Sequence, residues 1–308
     1  MALGRRGVFF TITAVLVVGL ALVAFLATGS SQTSLRSVEV RVFTLDNFLD
    51  DASKDLERAI FIAMFRATLG IEERIVETGE FIPDTEAAFN AIMTNGSYLD
   101  ESYALVENAT LTRWHERVQQ RAASIGIDFN VVFGEVRIEH VTPWDIRSTV
   151  NVTLILADAN GVANFTANRT ASATMRIVGF EDPLYLLGSS GKVVNVINIS
   201  STTDFVQGND TSDLMAHVTD GAYIAHSDAP SFLQRLEGNL SASPYGIESL
   251  VDVAALDQND VPIKVRTAVD YLYFGNGSVT DYCIENMPSW FRIDEDHLEL
   301  YEVDDLTC

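Results

Sequence analysis

The stretch Val150–Ile177, VNVTLILADANGVANFTANRTASATMRI, decides the β half of this chain. Val150, Val152, Leu154 and Leu156 alternate with polar residues, the period of a strand with one buried face. Asn160-Gly161 then supplies the dipeptide favoured in a two-residue type I′ turn. The return run sets Phe165, Ala167, Ala171, Ala173, Met175 and Ile177 on one face. Pairing residue 159 with 162 places Leu156 opposite Phe165, Leu154 opposite Ala167 and Val150 opposite Ala171, so the apolar faces coincide. Arg169, opposite Val152, is the one intruder. Asn151, Asn164 and Asn168 fall on the other, wet face.

Upstream of this hairpin the period is helical. Leu49, Ala52, Leu56, Ala59, Ala63, Ala67 and Ile71 recur every three or four residues, and predict a helix that starts near Asp46, with Asp46 or Asn47 as N-cap, and stops at Gly79. Within it, Ala59–Phe65 (AIFIAMF) is apolar on every side and is expected to be buried. Further helices are predicted over 84–94 and 110–123. From Ile127 the period becomes two, with strands expected over 127–133, 135–141, 192–199 and 268–274. Short helices are expected over 231–236 and 294–302. The fold class is α+β, helices first and mostly antiparallel sheet after.

Val8 to Ala27 is a run of twenty residues without a charge, long enough as a helix to span about 30 Å of hydrocarbon. Arg5 and Arg6 precede it, and the next basic residue is Arg36. The positive-inside rule then leaves the N-terminus in the cytoplasm and the body outside it. The expected layout is a basic stub (1–7), a transmembrane helix (8–28), a linker (29–45), a helical segment (46–125) and a β-rich extracytoplasmic segment (126–308). Residues 46–308 are expected to form one folded unit. A cleaved secretory signal and a twin-arginine signal are the rival readings of the N-terminus.

Two features agree with a location outside the cytoplasm. The acceptor pattern for N-glycosylation occurs nine times, at Asn95, Asn108, Asn151, Asn164, Asn168, Asn198, Asn209, Asn239 and Asn276, among sixteen asparagines. Cys283 and Cys308, the two cysteines, could close one disulfide in an oxidising compartment. The net charge of −23 comes from 43 acidic and 20 basic side chains, of which three are lysines. Such a field repels nucleic acid and anionic lipid, so no nucleic-acid partner is expected of the body. An acidic, lysine-poor surface suits high salt, where screening relieves self-repulsion.

Motifs that carry chemistry are missing from the sequence. No G-x-S-x-G, Walker loop or dinucleotide fingerprint appears, and no cofactor is expected. The histidines, His115, His140, His217, His226 and His297, are scattered, and none lies at i, i+4 from another, so no metal site is expected from spacing. The acidic run around Asp294-Glu295-Asp296-His297 lacks the spacing of a calcium loop and reads as a solvated helix. The aromatic groups Tyr271–Phe274 and Trp290-Phe291 read as core.

Two resemblances add to this. Gly4–Ile12 (GRRGVFFTI) resembles an archaeal type IV pilin-like leader, in which a peptidase cuts before the hydrophobic helix. That resemblance implies cleavage between Gly7 and Val8, although Ile12 stands where many pilins carry glutamate. Over most of the body, the stretches 55–67 (DLERAIFIAMFRA), 179–185 (GFEDPLY), 229–251 (APSFLQRLEGNLSASPYGIESLV), 269–274 (VDYLYF) and 288–301 (PSWFRIDEDHLELY) resemble an uncharacterised family of archaeal membrane-anchored surface proteins. The family resemblance implies an archaeal source and a surface location, and assigns no activity and no site residue. The expected function is therefore an envelope protein, pilin-like in build, that acts by protein–protein contact or self-assembly. The alternatives are an anchored ligand-binding or sensor module and, third, an extracytoplasmic hydrolase.

Overall fold

A computed structural model describes residues 4–308, and describes side chains at Phe10, at 12–24 and from residue 38 onward. Helix α1 (Gly4–Thr78) is unbroken, so the expected linker over 29–45 runs as helix. Asp46 and Asn47 lie inside it rather than capping its start. No proline interrupts the segment between Thr28 and Asp46, so nothing there forces a break. The helix ends where expected: Gly79 takes a φ of 67° and its N–H closes on the Ile75 carbonyl at 2.9 Å. The whole expected stripe from Leu49 to Ile71 is buried. The all-round apolar run is not. Phe61, Ile62 and Phe65 stay 43%, 46% and 41% exposed, because they lie off that stripe. Among the described residues no helix is long and apolar enough to cross a membrane.

Helix α2 (Thr85–Asn95) is capped by the Asp84 carboxylate, which accepts from Ala87 N–H. A two-residue ladder, β1 (Ser97–Tyr98) with β2 (Glu101–Ser102), and a 3₁₀ turn lead to α3 (Leu111–Ser124). Thr110 caps α3 through a bond from Arg113 N–H. The next three strands form one sheet in the order β3 (Ile127–Thr142), β4 (Asp145–Asp158), β5 (Asn164–Arg176). The two strands expected over 127–141 are one, running through Gly134. A side chain at Gly134 would meet the Asn151 carbonyl at 2.9 Å, so close strand approach explains the glycine.

The hairpin takes the expected register. Asp158 N–H donates to Ala163 O at 2.9 Å, Thr153 Oγ1 to Asn168 Oδ1 at 2.9 Å and Thr170 Oγ1 to Asn151 Oδ1 at 2.7 Å, all consistent with the 159–162 pairing. Val150, Val152, Leu154 and Leu156 are buried and Arg169 is exposed. The turn differs from type I′: Gly161 has a positive φ and Asn160 does not. Asp158 makes the difference, because its carboxylate accepts from the Asn160 and Val162 N–H groups and its carbonyl from Gly161 N–H.

The remaining elements are short: α4 (Pro183–Gly188), α5 (Ser212–Asp220), β6 (Tyr223–Ala225), α6 (Phe232–Leu236), β7 (Ile247–Ser249), α7 (Val253–Gln258), α8 (Asp270–Phe274), β8 (Asp281–Cys283) and β9 (Arg292–Asp294). Strands β6 and β7 pair antiparallel, as do β8 and β9. The stretch expected as a strand over 268–274 is instead the single turn α8, closed by Tyr273 N–H to Val269 O at 2.7 Å. The segment 192–199 makes only isolated bridges, at Val196 and Ile199. In place of a helix over 294–302 there is a 3₁₀ turn at Glu295–His297.

Contacts divide the chain into two compact units, neither of them one continuous segment. One comprises 1–54, 117–132 and 153–168; the other comprises 55–116, 133–152 and 169–308. In the first, Leu45, Leu49, Val118, Ile127, Phe129, Leu154 and Leu156 are buried, and Arg41 forms an ion pair with Asp158. In the second, one cluster gathers Leu184, Leu214, Val218, Leu250, Val269, Phe291, Ile293 and Tyr301. Tyr185, Val251, Leu256 and Tyr273 form a smaller one.

Candidate functional site

Strand β7 alternates, and that alternation builds two polar networks in the second unit. Ile247, Glu248 and Ser249 are all buried, and neighbouring strand residues face opposite ways. On one side stands Arg235, fully buried on α6. Its Nη1 donates to Asp182 Oδ2 at 2.6 Å and to Asp270 Oδ2 at 2.9 Å, and its Nη2 to the Ile247 carbonyl. Tyr223 OH donates to Asp182 at 2.7 Å, and Ser249 Oγ to Asp270 at 2.9 Å. Burial lifts the Asp270 carboxyl against the opposing pull of Arg235. Every charge here has several partners, as buried charges require.

On the other side of β7, Glu248 accepts from Tyr301 OH at 2.8 Å through Oε1. Its Oε2 lies 2.7 Å from His226 Nδ1 and 3.3 Å from His297 Nε2. His297 Nδ1 in turn lies 2.7 Å from Asp294 Oδ1, and Thr267 Oγ1 donates to Asp294 Oδ2 at 2.8 Å. Tyr271 OH sits 3.3 Å from His297 Nε2. Glu248, Asp294 and His297 are at most 2% exposed, whereas the His226 side chain is 20% exposed. Burial opposes the charge on Glu248, but hydrogen bonds from the two imidazoles outweigh it and hold the carboxyl at about 2. Burial likewise opposes charge on His297, and its bonds to Asp294 and Glu248 raise it to about 10. The bond to Glu248 also raises His226.

The three ligand-type atoms of His226, Glu248 and His297 all lie within 4.8 Å of one another. The sequence spacing hides this, since the three residues come from β7, the loop after β6 and the 3₁₀ turn after β9. Asp294 belongs to this network too, so the acidic run is solvated only in part. The sequence offers only histidines left without a role; Glu248 lies on a strand that its short run does not reveal. A surface cleft of about 550 Å³ lies elsewhere in this unit, lined by Asn95, Ser102, Tyr103, Arg113 and Glu116. It holds no comparable convergence of buried titratable groups.

All nine acceptor asparagines are exposed. Cys283 and Cys308 are joined by a disulfide. At the expected cleavage point between Gly7 and Val8, the Val8 side chain lies outside those described. Tyr271, Tyr273 and Phe291 are core residues. Comparison of the chain with family models, with curated proteins and with solved structures gives no match.

Proposed function

We propose that this chain is a membrane-anchored extracytoplasmic envelope protein, of the archaeal surface type its sequence resembles, that acts by contact with proteins or with copies of itself. The change of character along α1 carries this reading. From Phe10 to Val23 the large apolar side chains are 56% to 76% exposed, and they occupy every side of the helix. From Leu45 onward one stripe is buried and the other sides are largely polar, Phe61, Ile62 and Phe65 apart. A helix that is apolar all round needs a cover. The uncharged run Val8–Ala27 has the length for a bilayer to be that cover, and Arg5-Arg6 marks its cytoplasmic end.

A bare first part of α1, followed by a part with a buried stripe, supports the pilin-like reading. Exposure of all nine acceptor asparagines suits a glycosylated outer surface. Exposed Phe61, Ile62 and Phe65 offer an apolar contact patch on the body. The test is mass spectrometry of the mature N-terminus, on chain taken from the membrane fraction. A first residue of Val8 supports leader processing and filament assembly. A chain beginning at Met1 or Ala2 leaves a permanent anchor and sinks the pilin reading. Release of the chain by an alkaline wash, which strips peripheral proteins, overturns the anchor itself.

A further inference from the structure

We infer that His226, Glu248 and His297 form a binding site for a divalent transition-metal ion of the zinc type. This goes beyond the anchoring proposal and does not depend on it.

The donor set comes first. Two imidazole nitrogens and one carboxylate oxygen suit zinc-like ions, whereas calcium and magnesium take oxygen cages. Two histidines and a glutamate, with a fourth position left open, is a recurrent zinc ligand set.

Distances come second. Ligands about 2.0–2.1 Å from a tetrahedral ion lie about 3.3 Å apart. Glu248 Oε2 and His297 Nε2 already stand 3.3 Å apart. His226 Nδ1, at 2.7 Å from the same oxygen, is closer because a proton bridges them. Replacing that proton by an ion needs an outward shift of about half an ångström. His226 is the partly exposed member, with a side chain 20% open to solvent, so it is the ligand free to make that shift.

The surrounding shell is the third and most specific observation. Metal-bound histidines usually give their other ring N–H to a carboxylate. Asp294 lies 2.7 Å from His297 Nδ1 and is itself held by Thr267. Asp294 holds the proton on Nδ1, so Nε2, which now bonds to Glu248, is the nitrogen that gives up its proton to an ion. Tyr301 occupies Glu248 Oε1 and leaves Oε2 for the ion. Asp228 Oδ2 stands 3.9 Å from His226 Nε2, on the solvent side, within reach of the same role. A structural ion pair needs only one such partner; here each ligand has one polar atom engaged or approached, and its other one faces the shared point. The partly exposed His226 is the side on which solvent reaches the site.

The test uses the full chain in detergent, stripped with a chelator and titrated with Co(II) alone. One equivalent is expected to bind, with the visible absorption of four-coordinate cobalt, and Zn(II) is expected to displace it. His226→Ala should weaken binding at least about tenfold, while His140→Ala, away from the site, should leave it unchanged. X-ray absorption on the zinc-loaded wild-type chain keeps the test independent of any variant's folding, and should report two imidazoles around the ion. Absence of binding overturns the inference. So does binding that His226→Ala leaves intact, or an ion shell without imidazole.

Discussion

Asp270 and Tyr271 are neighbours in sequence, yet they serve different networks: Asp270 takes the Arg235 guanidinium, while the Tyr271 hydroxyl lies 3.3 Å from His297 Nε2. One turn of helix, α8, divides its side chains between them, just as β7 sends Glu248 one way and Ser249 the other. The two networks are thus mounted on the same two short elements. A displacement of α8 or β7 alters both, and the rigidity of one fixes the geometry of the other.

Arg235 should therefore be a stability determinant for the second unit. Arg235→Met leaves Asp182 and Asp270 buried without a counter-charge, a loss of about 3–5 kcal/mol. The triple change Asp182→Asn, Arg235→Met, Asp270→Asn removes all three charges and should recover part of that loss. Urea denaturation measures both. A single variant as stable as wild type would mean that the network contributes nothing.

The legible part of this protein was the part with a long period. The buried stripe of α1 and the 159–162 register rest on patterns of ten residues or more, where chance imitation is rare. Several short elements differ from expectation because tertiary bonds decide them, whereas the helix expected over 231–236 is α6. The stretch 268–274 is rich in the aromatic residues that strands favour, but Asp270 bonds to Arg235, and the chain turns helically there. The helix from 29 to 45 was read as a linker from its serines and threonines, which weaken a helix without breaking it. The candidate site was the least visible feature. His226, Glu248 and His297 are far apart in sequence; the pairing of β6 with β7 joins the first two, and the bonds from Val251 N–H to Ala268 O and from Ala268 N–H to Arg292 O link β7 to β9, which His297 follows.

Glu72 sets a pH dependence on the alkaline side. It is 5% exposed, and its Oε1 has no hydrogen-bond partner. Burial, and then the charge of Glu181, raise its carboxyl from 4.5 to about 9. The folded state thus holds a proton that the unfolded chain releases near 4.5. Stability from this group is full below that pH and is lost as pH rises toward 9. Glu72→Gln, which mimics the neutral acid, should be the more stable by roughly 2–3 kcal/mol at neutral pH. The gap should close near pH 4.5. Two parallel stability-against-pH curves would refute this account.

His217 acts on the acid side with the opposite sign. It is 2% exposed, and burial lowers it from 6.5 to about 4. Between those values the unfolded chain takes up a proton that the folded chain refuses, so stability present above pH 6.5 falls as pH drops toward 4. The full effect is about 3 kcal/mol. His217→Asn can keep a bond to Ser200 Oγ, now 3.0 Å from His217 Nδ1. It loses ring packing on Phe205, so its stability should be lower throughout. Its slope between pH 6.5 and 4 should nevertheless be shallower than that of wild type, and an unchanged slope would assign the acid sensitivity to other groups.

The disulfide closes a loop that carries one residue of the candidate site and two of the groups bonded to that site. Cys283 and Cys308 are 25 residues apart in sequence, and Asp294, His297 and Tyr301 all lie between them. Cys308 N–H donates to Cys283 O at 3.1 Å, and Glu285 N–H to Leu306 O at 2.8 Å, so the loop ends are tied by backbone bonds as well. Reduction should therefore leave the folded geometry in place and act chiefly by freeing the unfolded chain, a loss of about 3 kcal/mol for a loop of this size. The urea midpoint should fall when a reductant is added. Cys308→Ser should start at the lower midpoint and ignore the reductant. A wild-type midpoint indifferent to reductant would mean that the backbone ties, not the covalent bond, hold this loop.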